Sequence, residues 1–389
     1  MSEVTSNFPQ LRFPDFDDKW EEKRLSDIAE KSNVKNRDNE VSSVFTNSAT
    51  KGVVNQRFFF DKDIANQNNL DGYYIINHDN FVYNPRISFS APVGPLNRNH
   101  LGTGVMSPLY TILKINNVSL DFIERYFKTT KWHRYMNNIA NIGARHDRMN
   151  IISSDFMKMP IPLPKDEEQQ KIAAFLTAFD TKIEQLSKKQ ELLGEYKKGA
   201  MQQIFSQAIR FKADDGSDFP DWKEKKLGDI LDYEQPTNYI VDSTEYDNSF
   251  DMPVLTAGKS FVLGYTNETH KVFENIPVII FDDFTTANKY VDFPFKVKSS
   301  AMKILKPKDS FVNIRLIFEF IQMLNFPIGE HKRYWISEYQ DLKIPFPSFE
   351  EQTKIASFLS SIDNKIEQVG KQLDESKQFK KALLQQMFV

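Results

Sequence analysis

The sequence predicts an α+β fold, with two mixed α/β globular blocks joined by two long antiparallel coiled-coil helices in a pseudo-two-fold tandem repeat. Three observations predict it. The segment Glu168–Ser206 recurs as Glu351–Val389, identical without a gap at 18 of 39 positions. A shorter segment, Trp20-Glu-Glu-Lys-Arg-Leu25-Ser-Asp27-Ile28, recurs as Trp222-Lys-Glu-Lys-Lys-Leu227-Gly-Asp229-Ile230, and Leu11-Arg12-Phe13 is echoed by Ile209-Arg210-Phe211. Finally, apolar residues run through both long copies at alternating spacings of four and three. The chain therefore divides into a first globular block (1–165), a first repeated helix (166–208), a second block (209–348) and a second helix (349–389).

The blocks read as mixed α/β. Tyr73–Ile76, Phe81–Tyr83 and Tyr110–Ile115 have strand composition, and Leu120–Asn138 reads as a helix. In the second block Val278–Phe281, Phe295–Val297 and Ala301–Leu305 read as strands and Ile314–Leu324 as a helix. Each block ends in a short strand interrupted by prolines, Met159–Pro164 and Leu342–Pro347.

The repeated segments carry the coiled-coil seam. Ile172, Leu176, Phe179, Ile183 and Leu186 continue through Gln190, Leu193, Lys197, Ala200 and Ile204. The second copy places Ile355, Leu359, Ile362, Ile366 and Val369 ahead of Leu373, Ser376, Lys380, Leu383 and Met387. An a/d repeat sustained this long is the pattern of a coiled coil, and each helix is expected to be roughly 60 Å long. Capping boxes are expected at Ser348-x-x-Glu351 and Asp166-x-x-Gln169. Polar residues at Gln190, Lys197, Ser376 and Lys380 favour one specific partner, and the obvious partner of each helix is the other.

Composition sets limits. The chain has 389 residues, 40% hydrophobic and 26% charged, with a net charge of -3. It has no cysteine, which removes disulfides, thiolate metal sites and a cysteine nucleophile. No apolar run is long enough for a membrane span, and the acidic N-terminus does not read as a signal peptide, so a cytoplasmic protein is expected. Glycine is scarce, 14 residues in all, and no P-loop, GxGxxG or GxSxG occurs. The six histidines show no metal-binding spacing, and no metal site is expected. Glu224-Lys225-Lys226 is read as solvated charge rather than the end of a nuclease motif, and Asp282-Asp283, with no third carboxylate near in sequence, is not read as a metal site. The chain does not look like a catalyst.

Local charge points to a polyanion. Residues 84–150 carry nine Lys/Arg against three Asp/Glu, and residues 284–333 carry nine against four. Phosphate neutralisation is a local matter, so an acidic chain with two basic stretches suits nucleic acid. These stretches hold residue types that read base edges: Arg86, Asn97, Arg98, Asn99 and His100, then Thr285, Thr286, Asn288 and Lys289. A matching pair precedes each last strand, His146-x-Arg148 beside Arg145, and His331-x-Arg333 beside Tyr334.

The leading segments, Gly104-Val-Met-Ser-Pro-Leu-Tyr110, Phe281-Asp-Asp-Phe-Thr-Thr286, and the Pro-x-Pro strand running into Glu-Gln-x-Lys-Ile-Ala-x-Phe-Leu resemble type I restriction–modification specificity (S) subunits over essentially the whole chain. The resemblance implies sequence-specific binding of double-stranded DNA. Each block would be a target-recognition domain reading one half of an asymmetric bipartite site, while the helices set the spacer and dock partners. Those partners would be two adenine-N6 methyltransferase subunits and two ATP-driven restriction/translocase subunits. S-adenosylmethionine, ATP and Mg are expected on the partners, and no cofactor or catalysis on this chain. Four residues inserted at Phe205–Ala208 are expected to lengthen the DNA spacer. The alternative from another class is a structural coiled-coil adaptor with protein-binding terminal domains.

Overall fold

The computed structural model of the protein describes residues 8–59, 70–140, 147–257, 260–327 and 332–389. It resolves into two compact units, one of residues up to Ser187 together with Lys371–Val389, the other Lys188–Gly370. Both boundaries fall inside the long helices, so each unit takes in part of each.

The first unit contains β1 (Glu21–Arg24), α1 (Leu25–Ile28), β2 (Ala29–Ser32), β3 (Phe45–Ser48), β4 (Gly52–Asn55), α2 (Gln56–Phe59), β5 (Tyr74–Ile76), β6 (Phe81–Tyr83), β7 (Leu96–Arg98), β8 (Gly104–Met106), β9 (Thr111–Ile115), α3 (Leu120–Phe127), α4 (His133–Ile139), α5 (Ser153–Met157) and β10 (Pro160–Leu163). The long helix α6 (Asp166–Phe205) follows. The second unit then holds β11 (Lys223–Lys226), α7 (Leu227–Ile230), β12 (Leu231–Glu234), β13 (Met252–Leu255), β14 (Val262–Thr266), β15 (Val278–Asp282), β16 (Asn288–Val291), β17 (Lys296–Val297), β18 (Met302–Pro307), α8 (Ile314–Met323), α9 (Tyr334–Ser337) and β19 (Lys343–Phe346). The last element is α10 (Phe349–Gln386).

The two units share a frame that their sequences barely reveal. Antiparallel sheets of order β2-β9-β6-β7 and β12-β18-β15-β16 match strand for strand. Phe81 pairs with Leu113 and Lys31 with Leu113, just as Ile279 and Tyr233 both pair with Leu305. The proline-broken strands pair with the leading segments, β10 with β1 and β19 with β11. A two-stranded ribbon tolerates proline because an edge strand leaves some N–H groups unpaired anyway.

The paired Glu-Gln of each repeat is buried structure; the Ser348 hydroxyl accepts from the Glu351 N–H (3.4 Å) as half of the expected capping box, whereas Asp166 lies within α6 and accepts from the Gln170 amide (2.7 Å) instead. Glu168 takes both its bonds from Arg12 (2.7 and 2.8 Å), and Glu351 is held by Arg210 (2.9 Å) and the Trp222 indole (2.8 Å). Gln169 donates to the Pro164 carbonyl and accepts from the Ser119 N–H. Gln352 does the same with Pro347 and Asn313. Ser119 and Asn313 in turn cap α3 and α8. Each glutamate carries a bidentate or three-donor set of hydrogen bonds, which is what its burial requires.

The expected helix over 120–138 is two helices. The Thr129 hydroxyl donates to the Tyr126 carbonyl, and the Trp132 indole donates to the carbonyls of Phe127 and Thr129. These bonds satisfy the acceptors that a helix end frees, so the chain turns at low cost.

The seam positions are buried or half-buried along both long helices. In the first unit Ile172 and Leu176 pack with Leu383, Met387 and Phe388 around Trp20, and Phe179 meets Phe379. In the second, Met201 and Ile204 pack with Ile355, Leu359 and Ile362, and Phe205 stacks on Phe320. Low numbers in one helix meet high numbers in the other, so the segments run antiparallel within each unit. The polar seam positions have named partners: Lys380 bonds Asp180, and Lys197 lies 2.8 Å from Asp363 and 2.9 Å from Glu319. The Gln190 amide occupies the space a Cβ on Gly370 would fill.

Candidate nucleic-acid interface

In the first unit the chain leaves β6 through Asn84, Pro85 and Arg86. The Met149 N–H donates to the Pro85 carbonyl (2.8 Å) and the Ile87 N–H to the Asp147 carbonyl (3.0 Å), which sets Arg86 beside Arg148 as a bridge pair. Asp147 lies 3.7 and 3.8 Å from their guanidinium groups, too far for a tight pair. Arg86 is exposed and Arg148 half-buried. Both line a groove of about 480 Å³ whose other walls include Asn47, Asn84, Ser107 and Tyr110.

The second unit repeats this construction. The Tyr334 N–H donates to the Asp283 carbonyl (2.8 Å), and the Asp283 carboxylate accepts from the Trp335 N–H (2.9 Å). Asp282 closes the next turn by accepting from the N–H groups of Phe284 and Thr285. Thr286 sits at the corner with a left-handed φ of 58°. Arg333, Thr285 and Lys289 are exposed, and Thr286 is half-buried. The two acids Asp282 and Asp283 are thus occupied as turn anchors, not as metal ligands.

Five expected contacts have other employment. Asn97 is buried and donates to Asn47 Oδ1 (2.6 Å) while accepting from Lys128, so no edge of its amide is left for a base. Arg98 is enclosed by Asp79 (2.6 Å), Asp121 (2.5 Å) and Glu124 (3.7 Å). Burial opposes charge on both members of the Asp79–Arg98 pair, but their mutual bonds outweigh it, lowering the Asp79 pKa and raising that of Arg98. Tyr334 is buried at 1% exposure and packs on Phe326. His100 is at the surface, but its Nε2 lies 3.0 Å from both Glu124 oxygens. Asn99 is likewise buried, donating to two carbonyls. Arg145, His146 and His331 lie outside the described residues.

Among the described residues one group has the composition of a cation site: Asp242, Glu268 and His270. Lysines already serve it, Lys271 at 2.9 Å from Asp242 and the buried Lys296 at 2.7 Å from Glu268. The bond from His270, then that from Lys271, pulls the Asp242 pKa down to about 2. A site neutralised this way is a poor home for a metal.

The decisive comparison is with the family described as the type I restriction modification DNA specificity domain, whose model matches twice, over residues 17–193 and 220–376. The chain belongs to this family. Each specificity-domain match takes in one of the equivalent four-stranded sheets and most of the helix after it. The chain is 49% identical over 141 residues to the EcoR124I/EcoR124II specificity subunit of Escherichia coli, a match spanning 35% of either chain. It is 26% identical over 312 residues to a putative MjaX specificity subunit of Methanocaldococcus jannaschii, covering 70% of this chain and 67% of that one. In fold it is similar to the S subunit of a type I restriction-modification system from M. genitalium, with a TM-score of 0.62, 16% identity, and 98% and 99% of the two chains covered. Among the described residues of this specificity-family chain, no helix is long and apolar enough to cross a membrane.

What sequence reading missed is the buried role of Glu168, Gln169, Glu351 and Gln352, which tie the long helices to the leading segments and to the starts of α3 and α8. Their signal was present, since both copies carry the Glu-Gln pair and both carry the arginine of the leading segment.

Proposed function

We propose that this chain is the DNA-specificity subunit of a type I restriction–modification complex, reading one half of an asymmetric bipartite site with each unit. The observation that carries the reading is the arginine held by the same backbone bond on one frame in both units, Arg148 beside Arg86 in the first and Arg333 in the second. Divergent loops on a common frame suit two unlike half-sites. The subunit itself is non-catalytic, and the chemistry belongs to two adenine-N6 methyltransferase subunits using S-adenosylmethionine and two translocase/endonuclease subunits using ATP and Mg. The long helices space the units and dock the methyltransferases.

Methylome sequencing of a host carrying this chain with its methyltransferase tests the proposal. A bipartite motif with methylated adenine, absent when this chain is deleted, is expected. Binding to a duplex carrying that motif should weaken steeply with salt. Methyl transfer by the lone, homogeneous chain would overturn the non-catalytic assignment.

A further inference from the structure

Phe89 is the most exposed large apolar side chain among the described residues, at 107% relative exposure. At that exposure the ring adds nothing to the packed core, so its whole surface is open to a partner. It stands at the tip of a tight two-residue hairpin closed in both directions, the Ser88 N–H donating to the Ala91 carbonyl (3.0 Å) and the Ala91 N–H to the Ser88 carbonyl (3.1 Å). Its neighbours Ser88, Ser90 and Ala91 are all small, so the tip is narrow and presents a single ring.

The base of this hairpin is firmly seated. Val93 and Leu96 are buried, and the Tyr83 hydroxyl donates to the Val93 carbonyl (2.9 Å). Gly94 has φ 81°, and a Cβ there would lie 2.2 Å from the Asn84 carbonyl oxygen, so the returning strand presses directly on the exit of β6. A ring held on a stiff support has little ordering entropy left to lose on binding. Immediately beside the hairpin stand the paired cations Arg86 and Arg148, with Ser88 itself in the wall of their groove. An apolar ring on a rigid tip flanked by two cations matches the wedges by which proteins part stacked base pairs while holding the phosphates. The corresponding turn of the second unit, Phe284–Ala287, is short, and its Phe284 is half-buried.

We infer that Phe89 inserts between stacked base pairs of the DNA at the half-site read by the first unit, an inference that rests on the DNA-specificity reading above. No wedge is assigned to the Phe284–Ala287 turn of the second unit.

The test uses the full chain with its methyltransferase partner and a duplex carrying the bipartite motif, with 2-aminopurine placed at successive positions. One position in the first half-site other than the methylated adenine, which a methyltransferase extrudes for itself, should brighten on binding, reporting unstacking, and Phe89→Ala should abolish the signal at that position. The same substitution should weaken binding about tenfold, the scale of one lost aromatic–base contact, without changing the salt slope, since no phosphate contact is lost. Phe89→Leu should keep most of both effects, and neither variant should lower the Tm. Brightening that persists in Phe89→Ala, or unchanged affinity of that variant, overturns the wedge while leaving the specificity assignment standing. Failure of the parent complex to bind the duplex overturns both.

Discussion

Arg148 and Arg333 hold the same place in two blocks of unlike sequence. Each directly precedes the residue whose backbone N–H donates at 2.8 Å to the carbonyl just beyond the central strand, Met149 to Pro85 and Tyr334 to Asp283. Those carbonyls are equivalent by register, because Phe81 and Ile279 ahead of them pair with Leu113 and Leu305 of matching strands. The shared hydrogen bond fixes where the cation emerges, whatever the surrounding loop does.

Replacing Arg148 with Ala should therefore damage recognition of one half-site, and replacing Arg333 the other. A base-edge contact should cost about 1–3 kcal/mol and relax one position, while a phosphate contact should weaken all sequences alike. Competition binding against duplexes altered in either half separates these outcomes. Unchanged affinity of both variants would make the arginines ordinary surface charge.

This equivalence was partly legible, because a His-x-Arg pair occurs before each last strand. The seam was more legible still, since burial along a long helix follows directly from its period. What could not be read was which polar residues of the basic stretches are used internally. Asn97 looks like an adenine reader until Asn47, fifty residues earlier, closes on it. Arg98 looks free until Asp79 and two carboxylates of α3, Asp121 and Glu124, converge. Lys197 and Lys380 look like breaks in the seam until Asp363 and Asp180 arrive from the other helix. Each answer is a long-range contact, and residue type alone carries no trace of it.

Arg98→Ala should behave as a stability variant with unchanged base preference. It removes the arginine from Asp121 and leaves Asp79 to His78 and Glu124 to His100, at an expected cost of about 1–2 kcal/mol, held down further because these carboxylates remain partly in water. The pH dependence follows from Asp79, whose folded pKa lies below its ordinary value of 3.8. Its contribution is fully present above that value and is lost as pH falls through the lowered folded pKa. Thermal melts of Asp79→Asn and the parent should accordingly converge only in strong acid.

Lys197→Met and Lys380→Met should differ although the two lysines are equivalent in the repeat. Lys197 serves Glu319, which is fully buried, together with Asp363, whereas Lys380 serves Asp180, which is one-third exposed. Arg315 remains at 3.0 Å from Glu319 and softens the loss. Removing Lys197 is expected to cost about 2 kcal/mol or more, and removing Lys380 about 1 kcal/mol or less. Denaturant titration of the two variants side by side decides it, and an inverted order would mean that the Glu319 network does not stabilise its unit.

The proposed role of the helices as spacer requires care in where they are lengthened. The junction Phe205–Ala208 is unsuitable, because it is the sealed end of α6 inside the second unit. Phe205 stacks on Phe320, and Gln207 takes a left-handed φ of 58° with its N–H donating to the Ile204 carbonyl. Residues added there would drag Arg210 from Glu351 instead of extending the helices. Matched insertions belong at the unit boundaries, after Ser187 and after Gly370. One heptad in each helix preserves the a/d seam and adds about 10 Å of rise. At about 3.4 Å per base pair this lengthens the preferred spacer by about three base pairs. Three base pairs also turn the DNA by about 100°, whereas a heptad drifts by only about 20°. Affinity should therefore fall even as the preferred length rises. Methylome motif calling on the doubly inserted variant should return both half-sites unaltered around a longer gap. An insertion in one helix alone should unfold the pairing, and an unchanged gap in the double variant would remove the helices as the ruler.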